Sequence, residues 1–243
     1  MDGGTDHDLD GNIALVTGAS RGLGAAIAIA LARRGAHVVI AARDDGGLTV
    51  TDDAIRALGG EATLLPADLT RAEVTDSIGA SLFERFGRLD ILVHAAAVLG
   101  TPGPAGKIDE AEWEAAFGIN ATATWRLIRT TEPLLRAAPH GRVVVLTHSA
   151  ASVPEADGAL RGASMAARQI LVLSWAAELN ETNLRVNLFD PTMLSAAIEA
   201  SATVQSHTVA QTVAQTEAMA QMIVAMCQPS EARHGEILVW PGT

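Results

Sequence analysis

Ile13-Ala14-Leu15-Val16-Thr17-Gly18-Ala19-Ser20-Arg21-Gly22-Leu23-Gly24 decides the fold of this chain. Residues 13–17 are a short, nearly continuous apolar run, the pattern of a strand buried on both faces. Leu23 opens an alanine-rich segment of helical period that continues to Arg34. Between them, Gly18, Gly22 and Gly24 are spaced G-x-x-x-G-x-G. Such a turn brings bare backbone close to a ligand and aims the first N–H groups of a helix at it. Those donors and the helix dipole suit a pyrophosphate. A glycine pattern by itself is weak evidence, but a position between a strand and a helix at the head of a βαβ series supplies the confirming context. The competing reading keeps the glycines for tight strand–helix packing alone.

Working outward, short β-rich runs alternate with longer helix-period segments. The expected strands are Ile13–Thr17, His37–Ala41, Ala62–Pro66, Ile91–His94, Val143–Thr147, Arg185–Phe189 and Glu236–Val239. The expected helices are Leu23–Arg34, Thr51–Leu58, Arg71–Phe86, Glu110–Ala137, Arg161–Glu181 and Thr208–Cys227. This alternation implies parallel strands, right-handed crossovers and helices on both faces of the sheet. No linker rich in Pro, Gly or Ser divides the chain, so residues 11–243 read as one α/β domain behind an acidic, solvated tail at 1–10. The repeat Thr208–Gln215 is too short for a repeat architecture.

Composition narrows the function classes. Net charge is -11 and no basic run offsets it, which argues against nucleic-acid binding. The first residues lack the basic start and apolar core of a signal peptide, and no apolar stretch is long enough to span a bilayer. The single cysteine, Cys227, has no internal disulfide partner, sits among apolar residues and reads as a core thiol. The expectation is a cytoplasmic protein without a membrane anchor. The seven histidines are scattered, with no metal-ligand spacing, so no metal is expected.

The octet Thr17–Gly24 resembles the cofactor loop of the short-chain dehydrogenase/reductase family, and further features extend the resemblance over nearly the whole chain. It implies a single doubly wound Rossmann-type domain with a parallel seven-stranded sheet. It also implies a nicotinamide dinucleotide held by Gly18, Ser20, Arg21, Gly22, Leu23 and Gly24. The second strand ends Ala41-Ala42-Arg43 without an acid, so Arg43 and Arg21 are expected to pair with a 2′-phosphate, as in the NADP-preferring subgroup. Solvated surface arginines are the plain alternative. Asp68, followed by Leu69, matches the family aspartate at the adenine. Asp90–Ala97 stands where the family has its Asn-Asn-Ala-Gly strand end, with Ala95 beside the cofactor and both asparagines gone. Asn120 matches the mid-helix catalytic asparagine. Asp190-Pro191 matches the turn near the nicotinamide, with Thr192 in place of glycine.

The family's reaction centre is substituted. In the family a serine follows the fifth strand, a tyrosine comes thirteen residues later and a lysine four after that. Counting here, the three positions fall on His148, Arg161 and Met165. The chain has no tyrosine, and its one lysine is Lys107. Ser149 reaches the serine position only through a one-residue shift at the strand exit. General acid–base catalysis contributes about 10²–10⁴-fold, which an arginine that keeps its proton and a methionine without one do not supply.

After Pro191 the family places a lid, here about 193–207, small and without an aromatic residue. Helices 110–137 and 161–181 correspond to the pair that joins family subunits. Ala163, Ala166, Ala167, Ile170, Leu171 and Ser174 form a small-residue stripe for a homo- or hetero-oligomer, or alternatively for packing on the sheet. Three readings follow. The chain is a non-catalytic or strongly impaired NADP(H)-binding member serving as a structural or regulatory subunit. Or it is an NADPH-dependent oxidoreductase using His148 as acid. Or its cleft, with Arg161, serves a non-redox reaction or an unknown small anionic ligand.

Overall fold

Seven strands form the sheet of the computed structural model, which describes residues 7–191 and 209–241. They are β1 (Ile13–Thr17), β2 (His37–Ala42), β3 (Ala62–Pro66), β4 (Ile91–His94), β5 (Arg142–Leu146), β6 (Arg185–Asp190) and β7 (Ile237–Val239). Their order is β3-β2-β1-β4-β5-β6-β7, and every neighbouring pair is parallel. The expected doubly wound, seven-stranded parallel sheet is therefore present. Successive side chains alternate between its faces. Ala14, Val16, Val38 and Ile40 enter one core with Ile27 and Leu31 of α1 (Gly22–Arg33). Leu48 and Ile55 of α2 (Asp45–Ala57) join the same core. Leu15, Val39, Leu92 and Val143 enter the other with Ile78 of α3 (Ala72–Phe86).

Among the boundaries that differ from the sequence reading, two have a clear physical reason. Helix α2 starts at Asp45, six residues before the expected Thr51, because Asp44 accepts a capping bond from the Gly47 N–H at 3.1 Å. That cap offsets the poor helix propensity of Gly46 and Gly47. The segment Glu110–Ala137 is not one α-helix. It is α4 (Glu110–Phe117), a π turn over Gly118–Ala123, and α5 (Thr124–Ala137). A π turn shifts backbone pairing by one residue and leaves no trace in composition. Helix α6 runs Ala159–Glu178 and α7 runs Val209–Met226.

The described end of the expected acidic tail packs onto the domain. Leu9 is fully buried in the first core, its N–H donates to the Arg34 carbonyl, and the Arg34 guanidinium grips Asp8 through two bonds. The expected lid at 193–207 and the Thr192 substitution lie outside the described residues. Cys227 is buried in the first core, where burial pushes its thiol pKa up to about 12. No helix among the described residues is long and apolar enough to cross a membrane.

Candidate functional site

From β1 the sheet grows to one side through β2 and β3 and to the other through β4 and β5. That switch point is where open parallel sheets leave a crevice beyond their carboxyl ends. A cavity of ≈ 520 Å³ lies there. Of the residues expected at a cofactor, Gly18, Ser20, Arg21, Gly22, Leu23, Gly24, Arg43, Leu69 and Ala95 line it. Asp68 and Pro191 are not in the lining.

The loop is built by its glycines. Gly18 has φ +71, and a Cβ there would stand 2.7 Å from the Ala96 backbone nitrogen. A Cβ on Gly24 would collide with the Gly18 carbonyl. Gly22 has φ +58 and meets nothing within 4 Å of its Cβ position, so its bare backbone fronts open space. Helix α1 begins there with an N-cap, Arg21, that provides no side-chain bond, and with no acid in its first turn. The positive end of the helix dipole is therefore not offset by a local carboxylate. Exposed Arg21 and Arg43 add positive charge at the β2 end of the cavity. Asp44, one residue past the Arg43 strand tip, also lines this end, and its carboxylate is engaged in capping α2. Asp68 accepts from the Thr70 N–H and hydroxyl, at 3.0 and 2.7 Å, and these bonds hold its pKa below the usual carboxylate value.

Beneath the opposite wall lies a buried polar network. His94, at the end of β4, bonds Thr17 through Nδ1 at 2.6 Å and Thr124 through Nε2 at 3.1 Å. Arg168 of α6 is fully buried. It donates from Nε to the Asn120 carbonyl at 3.0 Å and from Nη1 to the Leu146 carbonyl at 3.1 Å. Its Nη2 donates to the Ala96 carbonyl at 2.7 Å and approaches His94 Nε2 at 3.3 Å. Burial lowers the Arg168 pKa to about 9. Burial, and then the Arg168 charge, hold His94 well below the usual histidine value, so the ring is neutral and Nε2 accepts. Arg168 and Thr124 were not singled out from sequence. A signal existed for Arg168, since a charged residue three positions after Met165 and four before Val172 lies on the inward face of α6.

The four positions expected from the resemblance to form a reaction centre are not in the cavity lining, and of them Asn120 bonds Arg168 directly. Asn120, inside the π turn, is fully buried. Its Nδ2 donates to the Val98 carbonyl at 2.6 Å and to Ser164 Oγ at 3.0 Å, and its Oδ1 accepts from the Val98 N–H at 3.0 Å. The side chain thus clamps the segment that follows β4. His148 caps the 3₁₀ turn Ser149–Ala151, with Nδ1 accepting from the Ala150 N–H at 3.1 Å. That bond engages Nδ1 as an acceptor within the turn. Met165 is 2% exposed, and Arg161 is half-buried at the start of α6. Among the described residues, no group of three His, Cys, Asp or Glu gathers to hold a metal ion.

The small-residue stripe of α6 faces away from the sheet. Ala163 and Ser174 are exposed, as is Ile170 at 63%, whereas Met165, Arg168, Val172 and Trp175 point inward.

Comparison with known proteins adds the following. Residues 12–208 match the family profile described as short chain dehydrogenase. The chain is 33% identical over 183 residues to 2,3-dihydro-2,3-dihydroxybenzoate dehydrogenase of Bacillus subtilis, covering 75% of this chain and 70% of that protein. It is 28% identical over 242 residues to 7alpha-hydroxysteroid dehydrogenase of Escherichia coli, covering 96% and 94%. A metagenomic short-chain oxidoreductase solved in complex with NADP superposes with TM-score 0.82 at 32% identity, covering 97% of this chain and 99% of that one.

Proposed function

The chain belongs to the short-chain dehydrogenase family, and from that premise we propose that it is an NADP(H)-binding member with little or no hydride-transfer activity. It serves as a structural or regulatory subunit. The observation that carries the second half is the pair Arg161 and Met165, standing where the family has its tyrosine and lysine in a chain with no tyrosine at all. Met165 is buried, and its thioether donates no proton and carries no charge.

Cofactor binding is supported by the Gly18–Gly24 cradle, with its open front at Gly22 and the uncapped start of α1. In this reading the α1 amides hold the pyrophosphate, Arg21 and Arg43 take the 2′-phosphate, Asp68 and Leu69 border the adenine, and Ala95 and Pro191 border the nicotinamide half. When bound, the nicotinamide supplies or accepts a hydride. A relative solved with NADP adds weight to this choice of cofactor. The capping bond at His148 Nδ1 counts against that ring as a substitute acid. The outward stripe of α6, with exposed Ile170 on α6 and Trp125 on α5, is the surface offered for pairing subunits.

The test is calorimetric titration of the full chain with NADPH and NADH, followed by a panel of carbonyl substrates. A guanidinium–phosphate contact contributes roughly 1.5–3 kcal/mol, so NADPH binds at least about tenfold more tightly than NADH. Turnover falls about 10²–10⁴-fold or more below that of an enzyme with the intact tyrosine. Absence of binding overturns the cofactor assignment. Turnover at family rates overturns the assignment as impaired.

A further inference from the structure

Arg168 is a fully buried cation that makes no ion pair among the described residues, and it stands directly behind the cavity. Arg168 bonds the carbonyls of Ala96 and Leu146, and a third reach of its Nη2 is to the Ile119 carbonyl at 3.4 Å. Ala96, Ile119 and Leu146 all line the cavity wall away from Arg43. Its other partners are the Asn120 carbonyl, the Asn120 Oδ1 at 3.5 Å and the neutral His94 ring. These are dipoles, and among the described residues no carboxylate pairs with the guanidinium. Buried charges in proteins are ordinarily paired. Here the charge is solvated by oriented carbonyls, and its field reaches the adjoining space because no anion cancels it.

The consequence rests on the reading that the cavity takes NADP(H). With the 2′-phosphate at the Arg43 end, the nicotinamide half occupies the opposite end, against the wall backed by Arg168. The nicotinamide ring is cationic when oxidised and neutral when reduced. Pyrophosphate, ribose and 2′-phosphate are the same in both forms, so the glycine loop, Arg21 and Arg43 cannot tell them apart. The carbonyls that would otherwise present their negative ends to a cationic ring are turned onto the guanidinium instead. We propose that Arg168 sets a redox-state preference in the pocket, selecting NADPH over NADP⁺, so that the protein acts as a holder or sensor of the reduced dinucleotide. The role is one of electrostatic selection from behind the wall, and it requires no turnover.

The experiment is calorimetric titration of the full chain with NADPH, NADP⁺ and 2′-phospho-ADP-ribose, which carries every part of the cofactor except the ring. The expected result is NADPH bound at least about tenfold more tightly than NADP⁺, with NADP⁺ no tighter than the ring-free fragment. In Arg168→Met, checked for folding by circular dichroism, the NADPH-to-NADP⁺ ratio falls at least about fivefold, and Arg168→Lys retains most of it. A purely structural role for Arg168 weakens both forms together with the ratio unchanged, and that result overturns the proposal. If Arg168→Met does not fold, the natural chain decides the matter. NADP⁺ and NADPH gaining equally over the fragment refutes the selection. Failure of NADPH, NADP⁺ and the fragment alike to bind removes the NADP(H) reading, and the present inference with it.

Discussion

His94 makes a quantitative prediction about acid stability. The ring is fully buried between Thr17 and Thr124, and burial and the Arg168 charge together hold its pKa well below 6.5. In the unfolded chain the same ring titrates near 6.5. Between the native value and 6.5 the unfolded state therefore binds a proton that the folded state refuses. Stability then rises with pH across that window and is lost as pH falls through it. One excluded proton corresponds to about 1.4 kcal/mol per pH unit. Lowering the pH from 7.5 to about 5.5 thus costs up to about 1.4 kcal/mol through His94 alone, for as long as the native ring refuses the proton. His37 contributes in the same direction, its pKa lowered first by burial and then by Arg85, so a control variant is needed. His94→Asn serves, since asparagine keeps a donor and an acceptor but does not titrate. Urea unfolding of both proteins at pH 7.5 and 5.5 gives the comparison. The variant is less stable at both values because bonds to Thr17, Thr124 and Arg168 are altered. The gap between the two proteins narrows by more than about 1 kcal/mol at the lower pH. A gap that stays constant refutes the description of His94 as a buried neutral ring.

Three further outcomes are expected. Gly18→Ala forces a side chain into a positive-φ position with its Cβ 2.7 Å from the Ala96 backbone, and costs about 2–4 kcal/mol in thermal or urea unfolding together with dinucleotide binding. Arg43→Ser lowers NADPH affinity about tenfold and leaves NADH affinity nearly unchanged, as measured by fluorescence titration. Cys227, buried with its pKa raised to about 12, does not react with a thiol-specific disulfide reagent at pH 8 in the native protein and reacts fully in urea.

Much of the fold is legible in the sequence because a doubly wound sheet writes itself in short apolar runs. β1, β3 and β4 begin and end where those runs do, β2, β6 and β7 differ by one residue at one end, and β5 is shifted by one residue at both. The glycine loop is equally legible, since spacing and flanking elements together carry the signal. What escaped was structure specified by single side chains or backbone bonds. The Asp44 cap moved the start of α2, and Leu9 drew the end of an acidic stretch onto the core. The π turn at Asn120 depends on backbone pairing that no composition records. Arg168 was visible as a charge on an inward face, but its partners come from β4, β5 and the π turn. Only the folded topology brings those together.

The Arg168 network also bears on the direction in which this protein can change. Met165 and Arg168 stand three residues apart on the same buried face of α6. A lysine regained at 165 would enter beside a cation that has no anionic partner, and like charges at that spacing oppose one another. Removing Arg168 first would leave the carbonyls of Ala96, Asn120 and Leu146 to find other donors. Neither single step is easy, so on the reading proposed above recovery of the family's chemistry depends on the order of changes. On that reading the buried network beneath the site entrenches the loss together with the substituted residues.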